Sequence, residues 1–517
     1  MFAKILTGAN IGLDAVLITC EIDIAKQGLP SFTIVGLADR AVEESKERVR
    51  SALRNSGSEF PQHKITVNLA PADIPKEGPI FDLPIALGLL LTSGQITSDS
   101  TNINLEKTLV VGELSLDGKL RKSPGILSLS LLAKNEGLEN IIVPKENGLE
   151  AAVVEGINVY AIDSLQEIVQ FILGQRELAV VKVEKLNLDE DLIFDYDFSQ
   201  IKGQEMAKRA MEIAASGGHN ILLKGPPGAG KTMLARAFPS ILPPLEFSEA
   251  IEVTKLYSIV GMMDANKSLI TKRPFRAHHH SASHVGLIGG GNTIRPGDIS
   301  LAHRGVLFLD EVAEFPRYVL ESLRQPLEDY KITISRASGS LSFPAKFILV
   351  AAQNPCPCGF LGDKKRVCTC MPGQIAKYKR RISGPLLDRI DIYLEVPAVE
   401  VDKLSDDVAV ESSKIIRDRV SKARHKQRER FKNLPQQKLN KILTNSEMTN
   451  AEIKQFCIVT AEGMELLKMA ISSLNLSARS YHRVLKLSRT IADLADSENI
   501  LAEHIAESLQ YRAREEI

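Results

Sequence analysis

The stretch Gly225-Pro-Pro-Gly-Ala-Gly-Lys-Thr232 matches the full GxxxxGK[ST] pattern of a phosphate-binding P-loop. The run Asn220–Lys224 predicts a short buried strand before it, and Met233–Phe238 predicts a helix after it. This order turns backbone N–H groups toward a triphosphate, with Lys231 on the outer phosphates and Thr232 on Mg²⁺. The predicted nucleotide-binding residues are Gly225, Pro226, Pro227, Gly228, Ala229, Gly230, Lys231 and Thr232. The alternative is a chance glycine-rich turn.

Two further apolar strands are predicted downstream, and both end in polar residues. Gly305–Glu311 places Asp310 to hold Mg²⁺ through water and Glu311 to polarise the attacking water. Phe347–Asn354 ends in an amide that can orient this water. Three such strands predict an α/β fold whose parallel sheet carries its site at the strands' carboxyl ends. The expected chemistry is ATP hydrolysis with Mg²⁺, using Glu311 and Asn354 as catalytic residues and Asp310 as a metal ligand.

The composition is that of a large chain without a global charge. At 517 residues, three or four domains are expected, at roughly 100 to 200 residues each. Lys plus Arg and Asp plus Glu number 64 each, so any nucleic-acid binding must use local patches. The sequence contains no apolar run of about 18 residues, and Met1–Leu6 lacks a signal-peptide pattern. We therefore expect a cytoplasmic protein without membrane association.

Shifts in composition divide the chain into four predicted segments. Residues 1–175 alternate strand-like and helical runs without a P-loop, and residues 176–196 form a polar, charge-dense linker. The ATPase core is predicted over 197–400, where Asp197–Gln204 opens it. Residues 401–517 carry helical periodicity almost throughout, which predicts a C-terminal helical domain.

Two insertions in the predicted core narrow the class of ATPase. Ser283–Asn292 is a glycine-rich loop too long for an ordinary connection, and it resembles a helix-2 insert. Lys331–Arg336 and Leu341–Phe343 flank Ala337–Ser340 as a predicted β-hairpin, which resembles a pre-sensor 1 hairpin. Together they resemble the AAA+ branch of magnesium chelatase ATPase subunits and MCM helicases, where both project toward a hexamer's pore. A dinucleotide fingerprint is the disfavoured alternative, because no strand directly precedes the three glycines.

Two arginines are candidates to complete the catalytic site. Ser383–Asp391 resembles the segment that carries an arginine finger, so Arg389 is predicted to reach the neighbouring subunit's γ-phosphate. The alternative is a salt bridge from Arg389 to Asp388 or Asp391. Leu476–Arg483 resembles a sensor 2 motif, in which Arg479 is the predicted sensor. Arg483, one turn later, either acts together with Arg479 or only resembles the sensor residue.

The resemblance extends over nearly the whole chain. Phe32–Asp39, Val67–Gly78, Phe275–Ser281 and the Arg389 segment together resemble the YifB/ComM family of magnesium-chelatase-like ATPases. The family implies an N-terminal Lon-protease-like α+β domain, a P-loop AAA+ core and a C-terminal helical lid domain. ComM-type members form ATP-dependent hexamers that drive branch migration of DNA during natural transformation. His278 departs from the family, which usually has proline there.

Resemblance to Lon raises ATP-dependent proteolysis as a rival function. A Lon-type site needs a serine nucleophile and an activating lysine. Here Ile80 stands at the serine position and Leu127 near the lysine position, so neither role can be filled. The N-terminal domain is interpreted as a platform for assembly or DNA binding. Its candidate DNA contacts are Lys76, Arg48, Arg50 and Arg54, although such charges are usually only solvated.

Four of the six cysteines form the pattern CxC, nine residues, CxC just after Asn354. These residues are Cys356, Cys358, Cys368 and Cys370. Four thiolates in one short loop suit tetrahedral Zn²⁺, which would hold together a polar, glycine-rich segment. The alternative is four reduced, exposed cysteines. Four histidines also lie close together in the sequence, and they are His278, His279, His280 and His284. A second metal site is the alternative, but neighbours in sequence point different ways, so they are interpreted as contacts of the insert or of the substrate.

For the substrate, DNA is favoured over a partner protein, mainly through the family resemblance. Lys414–Lys432 predicts a basic helix with nine Lys or Arg, although a basic helix is often only a solvated face. Further basic residues are Arg336 of the hairpin and Lys377, Lys379, Arg380 and Arg381. Basic groups that follow phosphates bind branched or single-stranded DNA without sequence preference. The competing interpretation is a chelatase-type motor that remodels a partner protein. In both, a homo-hexamer is expected.

Overall fold

The structure is a computed structural model that describes residues 2–25, 27–97, 103–183, 193–281, 283–291, 293–336, 339–363, 366–398, 410–435, 442–473 and 477–512. The chain forms two compact units. One unit contains Met1–Asn187 with Phe247–Ile270, and the other contains Leu188–Glu246 with Thr271–Ile517. Residues 247–270, which lie inside the predicted ATPase core, thus group with the N-terminal unit. The boundaries of the four predicted segments stay predictions.

The N-terminal unit is built on a mixed seven-stranded sheet of order β3-β4-β2-β1-β5-β8-β9. Its strands and those of a small hairpin are β1 Phe2–Ile11, β2 Asp14–Ala25, β3 Ser31–Val35, β4 Lys64–Ala70, β5 Thr108–Val110, β6 Glu113–Leu114, β7 Leu120–Arg121, β8 Asn140–Pro144 and β9 Asn158–Ile162. Along β4 every second residue is buried, because successive side chains point to opposite faces. One face of this part of the sheet therefore faces the core.

Helices cover the sheet of this unit. They are Arg40–Glu43, Ser45–Asn55, Asp82–Thr92, Ile126–Asn135, Gly148–Ala151, Leu165–Ile172 and Phe247–Ile259. Helix Asp82–Thr92 lies so close to β2 that a Cβ at Gly88 would come within 2.1 Å of Ile22 Cδ1. Since ten of its eleven residues are buried, this helix is apolar on nearly all sides.

The second unit contains a five-stranded sheet of order β11-β14-β17-β10-β18, and all four pairings are parallel. The strands of this unit are β10 Ile221–Lys224, β11 Phe275–His278, β12 Gly289–Gly290, β13 Arg295–Pro296, β14 Val306–Leu309, β15 Lys331–Arg336, β16 Gly339–Pro344, β17 Ile348–Gln353 and β18 Ile392–Glu395. The central strands β14 and β17 are buried throughout, as expected for a parallel sheet covered on both faces. The predicted α/β class with a parallel-sheet core is confirmed.

Helices surround this sheet and make up the C-terminal region. They are Glu205–Gly217, Lys231–Ala237, His284–Ile288, Asp298–Leu301, Arg317–Ser322, Arg324–Asp329, Pro372–Lys379, Gly384–Leu387, Ser413–Lys432, Asn450–Phe456, Ala461–Ser473, Ala478–Leu494 and Ala502–Gln510. The last five form the predicted helical region. Across the described part of the chain, no helix has the length and apolar character needed to cross a membrane.

Candidate functional site

The P-loop connects β10 to helix Lys231–Ala237, in the predicted order. Gly228 and Gly230 adopt φ of 77° and 84°, which is the left-handed region that favours glycine. At the start of the loop, a Cβ on Gly225 would lie 2.1 Å from the carbonyl oxygen of Val396. Glycine is therefore required where the loop passes against the segment after β18.

Lys231 joins the P-loop to the end of β17. Its Nζ donates to the carbonyl oxygens of Gly225 (2.6 Å) and Pro226 (2.9 Å) and to Asn354 Oδ1 (3.1 Å). Burial lowers the pKa of this ammonium, while Asp310 and Glu311 oppose the shift. The lysine and the sensor amide predicted from separate motifs thus lie in direct contact.

Thr232 and Asp310 form the second contact of the site. The Thr232 hydroxyl donates to Asp310 Oδ2 at 2.9 Å, and Asp310 Oδ1 accepts from the Glu311 amide at 3.0 Å. A hydroxyl and a carboxylate at this separation are oxygen donors of the kind that Mg²⁺ prefers, so these residues fit the metal. Glu311 has φ 51°, a strained conformation for a residue other than glycine.

His280 was not predicted as part of this site. Its Nδ1 lies 3.3 Å from Glu311 Oε2, and the His279 and His280 rings are 4.1 Å apart. Its position in the sequence could have indicated this contact, because His280 follows β11, and the carboxyl end of β11 meets that of its parallel neighbour β14. His278 has a different partner, since its Nδ1 lies 2.9 Å from Asp298 Oδ2.

The two insertions lie against each other. β15 and β16 form the predicted hairpin, whose turn residues 337–338 lie outside the described residues. A Cβ on Gly289 would lie 2.7 Å from Ile334 Cδ1, and one on Gly290 would lie 2.9 Å from an Arg336 guanidinium nitrogen. The glycine-rich insert therefore provides a surface without side chains on which the hairpin packs. Asn292, at the predicted end of this insert, also lies outside the described residues.

Arg389 and Arg479 meet at Glu328, a residue not identified from the sequence. Arg389 is 4% exposed and its Nη2 pairs with Glu328 Oε1, while Arg479 Nη2 reaches the same oxygen at 3.2 Å. Hydrogen bonding to Arg389, and then the charges of both arginines, hold the pKa of Glu328 below its usual value. Neither Asp388 nor Asp391 takes the role of this counter-ion.

Arg483 belongs to a different pair. Its Nη1 lies 3.2 Å from Asp391 Oδ1, and His219 Nδ1 lies 3.2 Å from Asp391 Oδ2. Burial opposes the charged carboxylate, but Arg483 and His219 hold the pKa of Asp391 well below its usual value. This buried pair ties the Arg389 segment to the helix that carries Arg479.

The four clustered cysteines converge on one point. Cys356 Sγ lies 3.4 Å from Cys358 Sγ and 3.6 Å from Cys368 Sγ, and all four sulfurs lie within 4.8 Å of one another. Cys356 is buried and the other three are half-buried, so the alternative of four exposed cysteines is wrong for Cys356. The donor set and its spacing fit a tetrahedral metal ion.

Comparison with known proteins identifies the family. Three family models match the chain. The model for "Magnesium chelatase, subunit ChlI" matches residues 197–404, the one for "Subunit ChlI of Mg-chelatase" matches 20–147, and the one for "Magnesium chelatase, subunit ChlI C-terminal" matches 410–512. The competence protein ComM of Haemophilus influenzae is 43% identical over 517 residues, which cover 99% of this chain and 97% of the relative. YifB of Escherichia coli is 43% identical over 509 residues, which cover 98% and 96%. This chain belongs to the ComM/YifB family.

Family membership confirms the resemblance predicted from the motifs, and it supports an ATPase of the magnesium-chelatase type. Lon protease 2 of Bacillus subtilis is also similar, at 27% identity over 175 residues that cover 30% of each chain. In this ComM/YifB member, Ile80 and Leu127 are buried core residues. The Leu127 amide donates to Glu150 Oε1 at 2.9 Å. Neither side chain offers a nucleophile or a base.

Several basic residues of the helix Ser413–Lys432 in this ComM/YifB member pair with other residues of the chain, which weakens the case for DNA contact by this helix. Arg419 pairs with Glu411, Arg430 with Asp493, and the Arg424 Nε donates to the carbonyl oxygen of Ala215. Further basic residues of the helix with partners are Lys426, Arg428 and Lys432. The helix therefore provides positive partners for carboxylates of neighbouring segments, so its charge count is a poor predictor of a DNA-binding face.

Three other predicted DNA contacts also have internal roles. Lys76 is fully buried and donates to the carbonyl oxygen of Pro71. Arg48 forms a two-point pair with buried Asp82, with N–O distances of 2.6 and 3.0 Å. Arg381 pairs with Glu314. Outside the basic helix, the exposed residues of the predicted set are Arg54, Arg336, Lys377, Arg380 and Arg381.

Proposed function

We propose that this chain is an ATP-hydrolysing ring motor that acts on DNA in the cytoplasm. The observation that carries the proposal is the convergence of Lys231 on Asn354 and of Thr232 on Asp310 at one edge of the parallel sheet. These four side chains come from three separate segments, and each has the donor or acceptor that phosphate, Mg²⁺ or water requires.

Each residue has a distinct task. Lys231 binds the outer phosphates. To do so, its ammonium group leaves the P-loop carbonyl oxygens that it contacts here. Thr232 and Asp310 would hold Mg²⁺, which would neutralise charge on the phosphates. Glu311 accepts a proton from the attacking water, and Asn354 orients that water. His280 lies beside Glu311 and restricts where its carboxylate can point.

Arg389 and Arg479 complete the site of the adjacent subunit in a homo-hexamer. Both contact Glu328, so the two guanidinium groups already lie together, and the Arg389 Nε has no hydrogen-bond partner among the described residues. Two neighbouring guanidinium groups are suited to a phosphate that carries several oxygens. This arrangement favours action in trans by both arginines.

DNA is the proposed substrate because the family resemblance extends over the whole chain, and branch migration is the proposed outcome. Exposed Arg336, Lys377 and Arg380 are the candidate phosphate contacts outside the basic helix. The second candidate is a chelatase-type remodeller of a partner protein, which the matches to magnesium chelatase subunits favour.

The test compares ATPase rates of the purified protein without DNA and with branched, single-stranded and duplex DNA, alongside its native mass. We expect a hexamer stimulated by branched or single-stranded DNA. The variant Lys377→Ala/Arg380→Ala should lose this stimulation and keep its basal rate, and Lys414→Ala/Lys422→Ala on the basic helix is the matched control. Stimulation by a protein partner alone would replace DNA with the remodeller function.

A further inference from the structure

The four-cysteine cluster lies immediately after the catalytic strand. Cys356 follows Asn354 by two residues, and its sulfur is buried. A tetrahedral ion with Zn–S bonds of about 2.3 Å places its sulfurs roughly 3.8 Å apart. The separations between Cys356, Cys358 and Cys368 are 3.4, 3.6 and 3.6 Å, which are much too long for a disulfide and close to the tetrahedral value.

The same segment contacts the P-loop. Gly359 has φ 85°, and a Cβ placed on it would lie 2.7 Å from both Cγ and Cδ of Pro227. The Gly359 amide donates to the Cys356 carbonyl oxygen at 3.0 Å, so the turn that holds two of the cysteines also presents this glycine. The Cys358 amide donates to Cys370 Sγ at 3.4 Å, as thiolate ligands commonly accept.

We infer that the four cysteines bind one structural Zn²⁺, and that this ion holds the Cys356–Gly359 turn against Pro227 and thereby fixes the P-loop for nucleotide binding. Four thiolates of this spacing gain their order from the metal, because the loop is too polar to build a core of its own. The coupling rests on the proposed function of the P-loop, whereas the zinc site rests on the sulfur geometry alone.

The first experiment measures the metal. Protein prepared under reducing, chelator-free conditions should contain about one zinc per chain by elemental analysis, and Cys358→Ser/Cys368→Ser should lose it, because two thiolates do not close a structural site. Cys20→Ala, which removes a buried thiol of β2, is the control and should keep its zinc. Protein without zinc, or with iron in its place, would overturn the assignment.

The second experiment measures binding of a fluorescent ATP analogue with Mg²⁺. Gly359→Ala should keep zinc yet bind the analogue about three- to tenfold more weakly, since small displacements of binding groups are costly. Gly362→Ala is the matched control, because Gly362 has a similar φ of 81° but no atom within 4 Å of its Cβ position. Equal weakening in both variants would indicate backbone strain and overturn the coupling, as would unchanged affinity in Gly359→Ala.

The two proposals fail separately. Zinc content does not depend on nucleotide or DNA, so a wild-type protein that holds zinc but does not bind the analogue refutes the ATPase proposal and the coupling while it supports the metal site. Loss of zinc in Cys358→Ser/Cys368→Ser with full nucleotide affinity refutes the coupling alone.

Discussion

The P-loop edge and the Glu328 cluster, formed by Arg389, Arg479 and Glu328, differ in how complete they are within one chain. At the P-loop edge, Lys231 and Thr232 already contact the residues with which they would share a nucleotide. In the Glu328 cluster, two arginines share one carboxylate oxygen. The difference supports the proposal that the P-loop edge binds and hydrolyses ATP, and that the two arginines of the Glu328 cluster act on an anion bound by a neighbouring subunit.

The largest effect is expected from Glu311→Gln at the P-loop edge. Turnover should fall by about 10⁴-fold, because a positioned general base contributes up to that factor. Nucleotide affinity should persist, since Glu311 makes no contact with Lys231 or Thr232 among the described hydrogen bonds. Steady-state ATPase rates and nucleotide titration measure both quantities. Glu314→Gln is the control, and a Glu311→Gln enzyme with the parental rate would contradict the assignment.

Mixed rings then test whether the Glu328 cluster acts in trans. Arg389→Ala and Arg479→Ala should each lower turnover about 10³-fold, as arginines that contact a transferring phosphoryl group do. Either variant mixed with Lys231→Ala should recover activity, because some interfaces then pair an intact P-loop with intact arginines. ATPase rates of mixtures, with subunit exchange checked by native mass, give the answer. An Arg479 that acts in cis would show no recovery, since no subunit would then contain a whole site.

Asp391→Asn tests the buried ion pair that joins the Arg389 segment to the helix of Arg479. Removing one partner of a buried ion pair destabilises a fold by about 3–5 kcal/mol, and here it leaves Arg483 unpaired. Thermal unfolding should show this loss at neutral pH. Because the folded pKa of Asp391 is lowered, its contribution is complete above the unfolded pKa of about 3.9 and declines as pH falls further. The gap between variant and parent should therefore close in acid, and a constant gap would contradict the pairing.

The smallest effect is expected from Glu328→Gln. Solvent around the 45% exposed Glu328 side chain screens its pair with the nearly buried Arg389, so the loss is expected to be about 1 kcal/mol, well below that of Asp391→Asn. Since its pKa is lowered, the contribution is lost as pH falls through the folded pKa, so the variant should be less sensitive to mild acid than the parent. Unfolding curves against pH measure this, with neighbouring Asp329→Asn as control. A neutral-pH loss several times larger would mean that Glu328 organises more than the two arginines.

The P-loop edge could be predicted because its parts are local motifs brought together by one simple rule. Parallel strands place their carboxyl ends at a common edge, so Asp310 and Asn354 had to lie near the loop after β10. The basic helix shows the opposite case. Its nine cations were visible in the sequence, but the carboxylates that pair with them, such as Asp493, come from distant segments. The number of Lys and Arg residues in the helix therefore did not show which of them are exposed.

Sequence alone was enough to predict the strand, loop and helix order around Lys231, the parallel α/β class and the four-cysteine pattern, because each depends on residues close together in the chain. The contact of Arg479 with Glu328, 151 residues away, and that of Gly359 with Pro227 become apparent only in the folded chain. Contacts of this kind depend on how whole elements pack, and many polar residues could have supplied them. Packing, and no local pattern, selects which residue becomes the partner.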